Sequence, residues 1–257
     1  MINFNKITTF LKFLSKNYVL AILTAIAAFH HFSDNVNYFL MWGSALGTWL
    51  IYYLDKNIDL NRGNINRTDR HFSSELDKNF QKTIGLVLLA LTIYNFSFLN
   101  FKTIGFIIAI LVCCAFYFLF LSKLQMFKEV FSSVVFTLSV CVFPQFLSQQ
   151  LSVVDCILFE LIVFSNMLLL AIKDYEYDKV HHFNSLCTRL GTHKTTILFV
   201  SALVISIAIS IFIKTELQFW VLISSGFYLA LLFLKLKIKN IVYHFWADMV
   251  FMMLFFF

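Results

Sequence analysis

Apolar runs that are long enough to cross a membrane recur along the whole chain, and they constrain the fold more than any other feature. A helix needs about 20 residues to cross a hydrocarbon core about 30 Å thick. The sequence predicts nine such spans, the first of them short. They are Tyr18 to Phe32, Val36 to Leu54, Thr83 to Leu99, Thr103 to Leu121, Val130 to Leu147, Val153 to Ile172, Thr195 to Ile213, Leu217 to Leu234 and Ile241 to Phe257. We therefore expect a polytopic membrane protein.

The composition excludes a soluble globule. Hydrophobic residues make up 60% of the chain and charged residues 13%, and the mean hydropathy is +0.80. That balance leaves too few polar side chains to cover the surface of a soluble domain. The runs are also apolar throughout, without the alternation that a transmembrane strand requires. The expected fold class is all-α, a nine-helix transmembrane bundle.

No Gly/Ser-rich or Pro-rich linker divides the chain, so we expect a single transmembrane domain over residues 1–257. Two acidic segments, Tyr52 to Phe72 and Lys173 to Gly191, follow the second and the sixth span, four spans apart. This spacing indicates a pseudo-repeat of helices 1–4 and 5–8, with helix 9 as an addition.

The basic residues predict the orientation of the chain. If the N-terminus is placed inside, all of the 20 Lys and Arg except Lys102 and Lys214 fall on the cytoplasmic side. The positive-inside rule then puts the N-terminus in the cytoplasm and the C-terminus on the opposite side, with the cell inner membrane as the expected location. The net charge of +6 fits membrane lipids and an anionic partner at the membrane surface. Nothing resembles a nucleic-acid-binding module.

Two acidic segments, Tyr52 to Phe72 and Lys173 to Gly191, interrupt the apolar chain on this predicted cytoplasmic side. On a helix, residues four apart share one face. Each segment contains such a pair of aspartates: Asp55 with Asp59, and Asp174 with Asp178. Either segment alone fits a solvated loop, but two pairs at the same membrane face, in a chain poor in acidic residues, indicate a site.

Paired carboxylates of this kind suit a magnesium ion. Mg²⁺ takes one or two protein carboxylates and completes its shell with water and substrate phosphates. Basic side chains in and near the same segments could bind a diphosphate leaving group. They are Lys56, Arg62, Arg67, Arg70, Lys179 and Arg189. We therefore expect Mg²⁺-dependent diphosphate chemistry beside an apolar chamber.

The second acidic segment carries a recognisable pattern. Asp174, Glu176 and Asp178 are followed by Ser185 and Leu186, and then by the sequence Arg-Leu-Gly at 189–191. With the two acidic segments after spans two and six, the chain resembles the UbiA superfamily of intramembrane prenyltransferases, of which it would be a divergent member. These enzymes have nine helices and two aspartate-rich motifs at the same places. The resemblance covers the topology of the whole chain.

The chain departs from the family pattern at several positions. In the first motif, Ile51 and Tyr52 stand where the family has Asn and Asp. In the second motif, His182 replaces the usual glycine and Cys187 the usual proline. Lys123, after the fourth span, is near the place of a basic residue that the family often has there. Residues 66–70, with Arg67 and Arg70, look like a displaced form of the family's NRPxRP stretch.

The resemblance implies a mechanism. Mg²⁺ held by the two aspartate motifs (Asp55, Asp59, Asp174 and Asp178) binds the diphosphate of an isoprenyl donor. Ionisation leaves an allylic carbocation, which a lipophilic acceptor attacks. The acceptor is usually aromatic, such as a quinone precursor. The expected partners are thus a prenyl diphosphate, this acceptor and membrane lipids, whereas the prenyl length, the acceptor's identity and the oligomeric state stay open.

Four further residues are candidates for the substrate pocket: Tyr52, Glu176, His244 and Asp248. A charged side chain inside a span costs about 2.5–3.5 kcal/mol on insertion scales, so such residues tend to face a cavity or a partner. Asp248 and His244, one turn apart in the ninth span, fit this description. Glu160, nearer the outer face, is expected to pair with a polar neighbour or to be protonated.

Three alternatives to prenyl transfer can be considered for this chain. A degenerate scaffold without turnover stays open because Tyr52 replaces an aspartate, although the four remaining aspartates favour activity. A transporter could use Glu160, His244 and Asp248 as a relay, but its binding helices usually contain Gly or Pro breaks, and Pro144 is the one proline in this chain. The DG, AR and GxxxDxxxD elements of CDP-alcohol phosphotransferases are not found.

Overall fold

A computed structural model of the protein describes residues 19–33, 37–62, 78–119, 128–180, 185–238 and 240–256. Within these ranges the chain is helical and contains no strand. Nine helices, here α1 to α9, follow one another within the described ranges. They are α1 (Val19–His31), α2 (Tyr38–Arg62), α3 (Lys78–Phe96), α4 (Phe101–Leu119), α5 (Lys128–Ser148), α6 (Val153–Val180), α7 (Leu186–Ile213), α8 (Gln218–Leu234) and α9 (Asn240–Met252), which ends in a 3₁₀ turn (Met253–Phe256).

Each of the nine predicted spans coincides with one of these helices, so the all-helical fold is confirmed. Among the described residues, α5, α6 and α7 are long and apolar enough to cross a membrane. Shorter apolar helical segments lie in five of the other predicted spans: Leu20–His31, Gly85–Asn95, Thr103–Val112, Gln218–Leu234 and Val242–Phe256. The crossing of the membrane by all nine helices stays a prediction.

The centre of the described bundle is α6. It packs against α5, α7, α8 and α9, and its contact with α7 is the most extensive in the structure. At the other side of the bundle, α1 packs against α2 and α9. Because α6 is surrounded by other helices, its polar C-terminal end is brought next to α8 and α9 instead of facing lipid.

Aromatic side chains fill the part of the bundle around Phe159 of α6. The ring of Phe159 lies 5.1 Å from that of Phe32, 5.8 Å from that of Trp220 and 6.0 Å from that of Phe251. The indole Nε1 of Trp220 donates a hydrogen bond to the carbonyl oxygen of Val250 over 3.1 Å. The burial of these aromatic rings and the hydrogen bond of the Trp220 indole together hold α1, α6, α8 and α9 against one another.

The α5 helix changes its winding halfway. A π-helical turn covers Leu138–Val142, directly before Phe143–Ser148, which contains Pro144. A proline inside a continuous helix removes one backbone hydrogen bond and crowds the preceding turn, and it is in that preceding turn that α5 departs from regular α-helical winding. On the preceding α-helical part, the hydroxyl of Ser133 donates to the carboxylate of Glu160 over 2.6 Å. The expectation that Glu160 pairs with a polar neighbour is therefore confirmed.

The aromatic cluster generates a stability prediction. Phe159→Ala removes a completely buried ring that packs near four other rings, those of Phe32, Phe136, Trp220 and Phe251, so it should lower the free energy of unfolding by about 3–5 kcal/mol. Phe212→Ala in α7 is the control, because the Phe212 side chain is 85% exposed to the surroundings of the bundle. The measurement is unfolding of the purified protein in detergent, followed by circular dichroism. Equal losses for the two variants would contradict the packing described here.

Candidate functional site

The C-terminal end of α6 carries the second aspartate pair. The helix does not stop with its apolar run at Ile172 but continues to Val180, so that Asp174 and Asp178 lie on helical backbone one turn apart. Asp174 is 7% exposed, Asp178 is half-buried, and Glu176 is exposed. Asp174 therefore points into the bundle and Glu176 away from it, and the structure does not bring Glu176 to the buried face as a pocket residue.

Asp174 meets His244 of α9. Its Oδ1 atom lies 3.2 Å from the Nε2 atom of His244, and both side chains are buried. Carboxylates that bind metal ions are typically hydrogen-bonded in turn by a neighbouring group, which fixes their orientation. His244, a pocket candidate from the sequence, is thus placed beside the aspartate, as a partner of the carboxylate.

Lys173 ties the same end of α6 to the connection between α8 and α9. Its ammonium group donates hydrogen bonds to the carbonyl oxygens of Lys235 and, over 2.8 Å, of Ile238. It also lies 5.1 Å from the centre of the Tyr243 ring. The positive charge next to Asp174 is therefore fixed by backbone groups of the neighbouring helices. This role of Lys173 cannot be predicted from the sequence, because hydrogen bonds to backbone carbonyls leave no residue pattern.

Two caps determine where α7 begins. Ser185 and Thr188 form a reciprocal capping box, in which the Ser185 hydroxyl accepts from the Thr188 N–H and the Thr188 hydroxyl accepts from the Ser185 N–H. In addition, the buried carboxylate of Glu129, at the start of α5, accepts a 3.1 Å hydrogen bond from the Leu186 N–H. These contacts hold the start of α7 against α5. Neither the capping box nor the role of Glu129 was predicted from the sequence.

Gly191 interrupts α7 five residues after the helix begins. Its backbone has φ 81° and ψ 158°, a conformation that only glycine adopts readily. The carbonyl oxygen of Gly191 then accepts a 2.9 Å hydrogen bond from the Thr195 hydroxyl in the next turn. The glycine of the Arg-Leu-Gly sequence therefore kinks the start of α7 directly after the exposed Arg189.

The structure describes the side chains of only some of the basic residues that were predicted to bind a diphosphate. Lys179 is exposed near the end of α6, with its ammonium group 5.8 Å from the centre of the Tyr175 ring. Lys179 and Arg189 thus lie at the same end of the bundle as Asp174. Arg67, Arg70 and Lys123 fall outside the described residues.

The first aspartate pair lies near the C-terminal end of α2. Tyr52, Lys56 and both aspartates, Asp55 and Asp59, are on helical backbone within Tyr38–Arg62. Their side chains are outside what the structure describes. The approach of the two aspartate pairs to each other therefore stays a prediction.

Asp248, the second candidate of α9, lies one turn after His244. Its Oδ1 atom accepts a 3.1 Å hydrogen bond from the side-chain amide of Asn166 of α6. Asp248 is half-buried, and Asn166 is buried. A second contact between polar side chains of α6 and α9 thus lies deeper in the bundle than the one between Asp174 and His244.

The chemistry of the α6 pair fits magnesium. Carboxylate oxygens are the ligands that Mg²⁺ prefers, and one or two of them are sufficient when a phosphate completes the shell. Asp174 is buried and held by His244, and Asp178 follows one turn later. Among the described side chains, no group of three or more His, Cys, Asp or Glu has the spacing of a metal site. A pair that shares the ion with a diphosphate is the arrangement that these residues suit.

Comparison with known proteins gives one match. The model of the UbiA prenyltransferase family matches residues 18–254, which is nearly the whole chain. No curated protein and no solved structure matches the chain significantly.

The kink at Gly191 can be tested by substitution. Gly191→Ala forces a side chain into a backbone conformation that costs about 1–3 kcal/mol, so the free energy of unfolding should fall by that amount. Gly226→Ala in α8 is the matched control, because Gly226 has helical backbone and nothing within 4 Å of an added Cβ. It should leave stability unchanged or raise it by up to about 1 kcal/mol. Unfolding in detergent measures both, and a Gly191→Ala variant as stable as wild type would disprove the strained conformation.

Proposed function

Because the chain belongs to the UbiA prenyltransferase family, we propose that it transfers an isoprenyl group from a prenyl diphosphate to a lipophilic acceptor within the membrane. The reaction is Mg²⁺-dependent, and the acceptor is aromatic, such as a quinone precursor. The observation that carries this proposal is the buried Asp174, one turn from Asp178, held by His244 at the end of α6.

In this proposal the two aspartate pairs bind the diphosphate from two sides. Asp174 and Asp178 of α6 provide oxygen ligands on one side, and Asp55 and Asp59 of α2 provide them on the other. Bound Mg²⁺ would neutralise negative charge on the diphosphate and so make it a better leaving group. The hydrogen bond from His244 keeps the Asp174 carboxylate in one orientation, which lowers the cost of ordering the site when substrate binds.

Basic side chains at the same end complete the neutralisation of the diphosphate. Lys179 and Arg189 are exposed there, where they can reach a bound phosphate. Lys56, Arg67, Arg70 and Lys123 are assigned to the same role from their positions in the sequence. Lys173 is different, because its ammonium group is engaged by backbone carbonyls; it positions the end of α6 and adds a fixed positive charge.

The apolar bundle protects the reaction. When the bond between the allylic carbon and the diphosphate oxygen breaks, the bonding electrons leave with the diphosphate and the carbon becomes cationic. Water would capture that cation, so it must be excluded until the acceptor's ring carbon attacks and the ring loses a proton. Aromatic faces can stabilise a cation close to them, and Tyr243 is buried directly beside Asp174's partner His244. We assign Tyr243 to the wall of the donor site.

The role of Asp174 is tested by direct binding. Asp174→Asn keeps the size of the side chain but removes its charge, so Mg²⁺-dependent binding of labelled geranylgeranyl diphosphate should weaken by about 100-fold or more; even groups that only orient a metal ligand contribute about 10–100-fold. Glu176→Gln, two residues later on the exposed side of the helix, is the matched control and should bind like wild type. Binding is measured by equilibrium dialysis in nanodiscs, with and without EDTA.

Two outcomes separate the proposed function from its rivals. The proposal fails if wild type binds no prenyl diphosphate. It also fails if Asp174→Asn binds the diphosphate as well as wild type and Glu176→Gln do. If wild type binds the diphosphate in an Asp174-dependent way but transfers no prenyl group to any of a panel of aromatic acceptors, the chain is a degenerate relative that retains the donor site.

The positioning role of His244 is tested by the Mg²⁺ dependence of the same binding. His244→Ala should raise the Mg²⁺ concentration needed for half-maximal diphosphate binding by about tenfold, because the Asp174 carboxylate loses its orienting partner. His244→Gln keeps an N–H donor at a similar reach and should recover most of that loss. If the two variants show the same Mg²⁺ dependence as wild type, or differ only in thermal stability, His244 merely fills space.

A further inference from the structure

Two cysteine thiols are in contact where α5 meets α6. The structure describes the side chains of three cysteines, Cys141, Cys156 and Cys187, and each of them is a buried free thiol. The Sγ atom of Cys141 lies 3.6 Å from the Sγ atom of Cys156. Cys141 belongs to the π-helical turn of α5, which packs against α6, and Cys156 follows shortly after the start of α6. The proposed prenyl transfer gives neither thiol a role.

The connection between α5 and α6 keeps these two thiols side by side. The Oε1 atom of the buried Gln145 accepts a 2.9 Å hydrogen bond from the Ser152 N–H, and the backbone carbonyl of Gln145 accepts one of 3.0 Å from the Gln150 N–H. The left-handed backbone of Gln149, with φ 60°, ends α5. The Ser152 hydroxyl then accepts a 3.2 Å hydrogen bond from the Asp155 N–H at the start of α6. The contact between the two sulfur atoms is therefore set by ordered backbone on both sides.

The two thiols form a short chain of hydrogen bonds. The Cys141 thiol donates to the Sγ atom of Cys156, and the Cys156 thiol donates to the Oε1 atom of Gln145 over 3.4 Å. Thiols are weak donors and weak acceptors, so little is lost when their protons are removed. The Oε1 atom of Gln145 would still accept from the Ser152 N–H. A bond between the two sulfur atoms would thus leave this buried oxygen with a donor.

The distance is short enough for such a bond. The sulfur atoms of a disulfide are about 2.05 Å apart, so the two Sγ atoms need to approach each other by about 1.6 Å. Rotation of the two short side chains moves sulfur atoms on this scale. Cys156 is also the more accessible of the pair, with 9% of its surface exposed against none for Cys141. A reagent that enters through the exposed connection at Gln149 and Gln150 therefore reaches Cys156 first.

The predicted orientation places the contact in an oxidising compartment. With the N-terminus in the cytoplasm, the connection between α5 and α6 lies on the opposite side, which for the expected inner membrane is the periplasm. Disulfides form and persist there, whereas cytosolic thiols are kept reduced. Cys187, in the first turn of α7, lies at the predicted cytoplasmic end. The paired thiols are thus at the end of the bundle where oxidation is favoured, and the single thiol is at the other.

We propose that Cys141 and Cys156 form a disulfide bond that joins α5 to α6 at the predicted outer end of the bundle, made by exchange with an oxidant that itself carries a disulfide. The Cys156 thiolate attacks one sulfur atom of the oxidant, and the other sulfur atom leaves as a thiolate. The Cys141 thiolate then attacks Cys156 Sγ and displaces the second thiolate. The protein loses two electrons and two protons, and the oxidant takes up both and becomes two thiols.

Peptide mapping of the full-length protein in nanodiscs tests the proposal. The protein is incubated with oxidised glutathione and denatured, its free thiols are blocked with N-ethylmaleimide, and chymotryptic peptides are analysed by mass spectrometry. Wild type should yield a pair of peptides joined through Cys141 and Cys156 that separates on reduction. Of the five cysteines, three should carry maleimide in the oxidised protein and all five in the reduced protein. Five labelled cysteines in both states would show that the pair is an inert part of the apolar core and would overturn the proposal.

Substitutions identify the thiols that are responsible. Cys141→Ala and Cys156→Ala should each abolish the difference of two labelled cysteines between the oxidised and the reduced protein, because the remaining thiol has no partner. Cys187→Ala is the matched control, since it removes a buried thiol at the other end of the bundle and should keep the difference. A difference that survives in Cys141→Ala or Cys156→Ala would assign the disulfide to other cysteines and contradict the proposal.

The disulfide should also stabilise the fold. Closing a loop of about 15 residues restricts the unfolded chain, so the apparent melting temperature of wild type should be about 5–10 °C higher after oxidation than after reduction. Each variant is compared with itself in the two states, so the cost of removing a buried sulfur atom cancels. The shift should disappear in Cys141→Ala and persist in Cys187→Ala, and a wild type that melts at the same temperature in both states would contradict the stabilising role. These results do not depend on the proposed prenyl transfer, which is tested through Asp174.

Discussion

The contact between Asp174 and His244 is the interaction on which the proposed site depends. A carboxylate in an apolar bundle is costly unless other polar groups surround it. Here α9 supplies the imidazole at 3.2 Å, and Lys173 places a charge beside it that is fixed by the α8–α9 connection. The same contacts that make Asp174 tolerable in the bundle also hold it in one orientation. The contacts that stabilise the helix packing at Asp174 are therefore the same ones that would orient its carboxylate in the proposed metal site.

The remaining features keep this end of the bundle in place. The α6 helix extends past its apolar run, so that the aspartates stand on rigid backbone. The α7 helix begins with the capping box of Ser185 and Thr188, where Glu129 of α5 accepts a hydrogen bond from the Leu186 N–H. The positive φ of Gly191 then kinks α7, so that residues before and after Gly191 belong to two helical parts. Together these contacts fix the start of α7, which carries the Arg-Leu-Gly sequence.

Much of this arrangement could be predicted from the sequence, because apolar runs and helical spacing are local properties. The nine helices and the helical placement of both aspartate pairs followed from them. An apolar run does not show that α6 continues to Val180, although the spacing of Asp174 and Asp178 indicated a helix there. The partnerships of Asp174 with His244, of Glu129 with Leu186 and of Asn166 with Asp248 join residues 70, 57 and 82 positions apart. Only the packing of helices brings such residues together. Some of them could therefore be predicted from the sequence as site residues, but their partners could not.

In the proposed function, the aspartates of α2 and α6 hold one metal–diphosphate complex between them. Pulsed electron paramagnetic resonance with Mn²⁺ in place of Mg²⁺ tests it most directly, because it detects phosphorus atoms next to a protein-bound metal ion. With a prenyl diphosphate present, the account predicts a ³¹P hyperfine coupling in wild type that is lost in both Asp55→Asn and Asp174→Asn. A wild-type spectrum without ³¹P coupling, or a coupling that survives both substitutions, would contradict it.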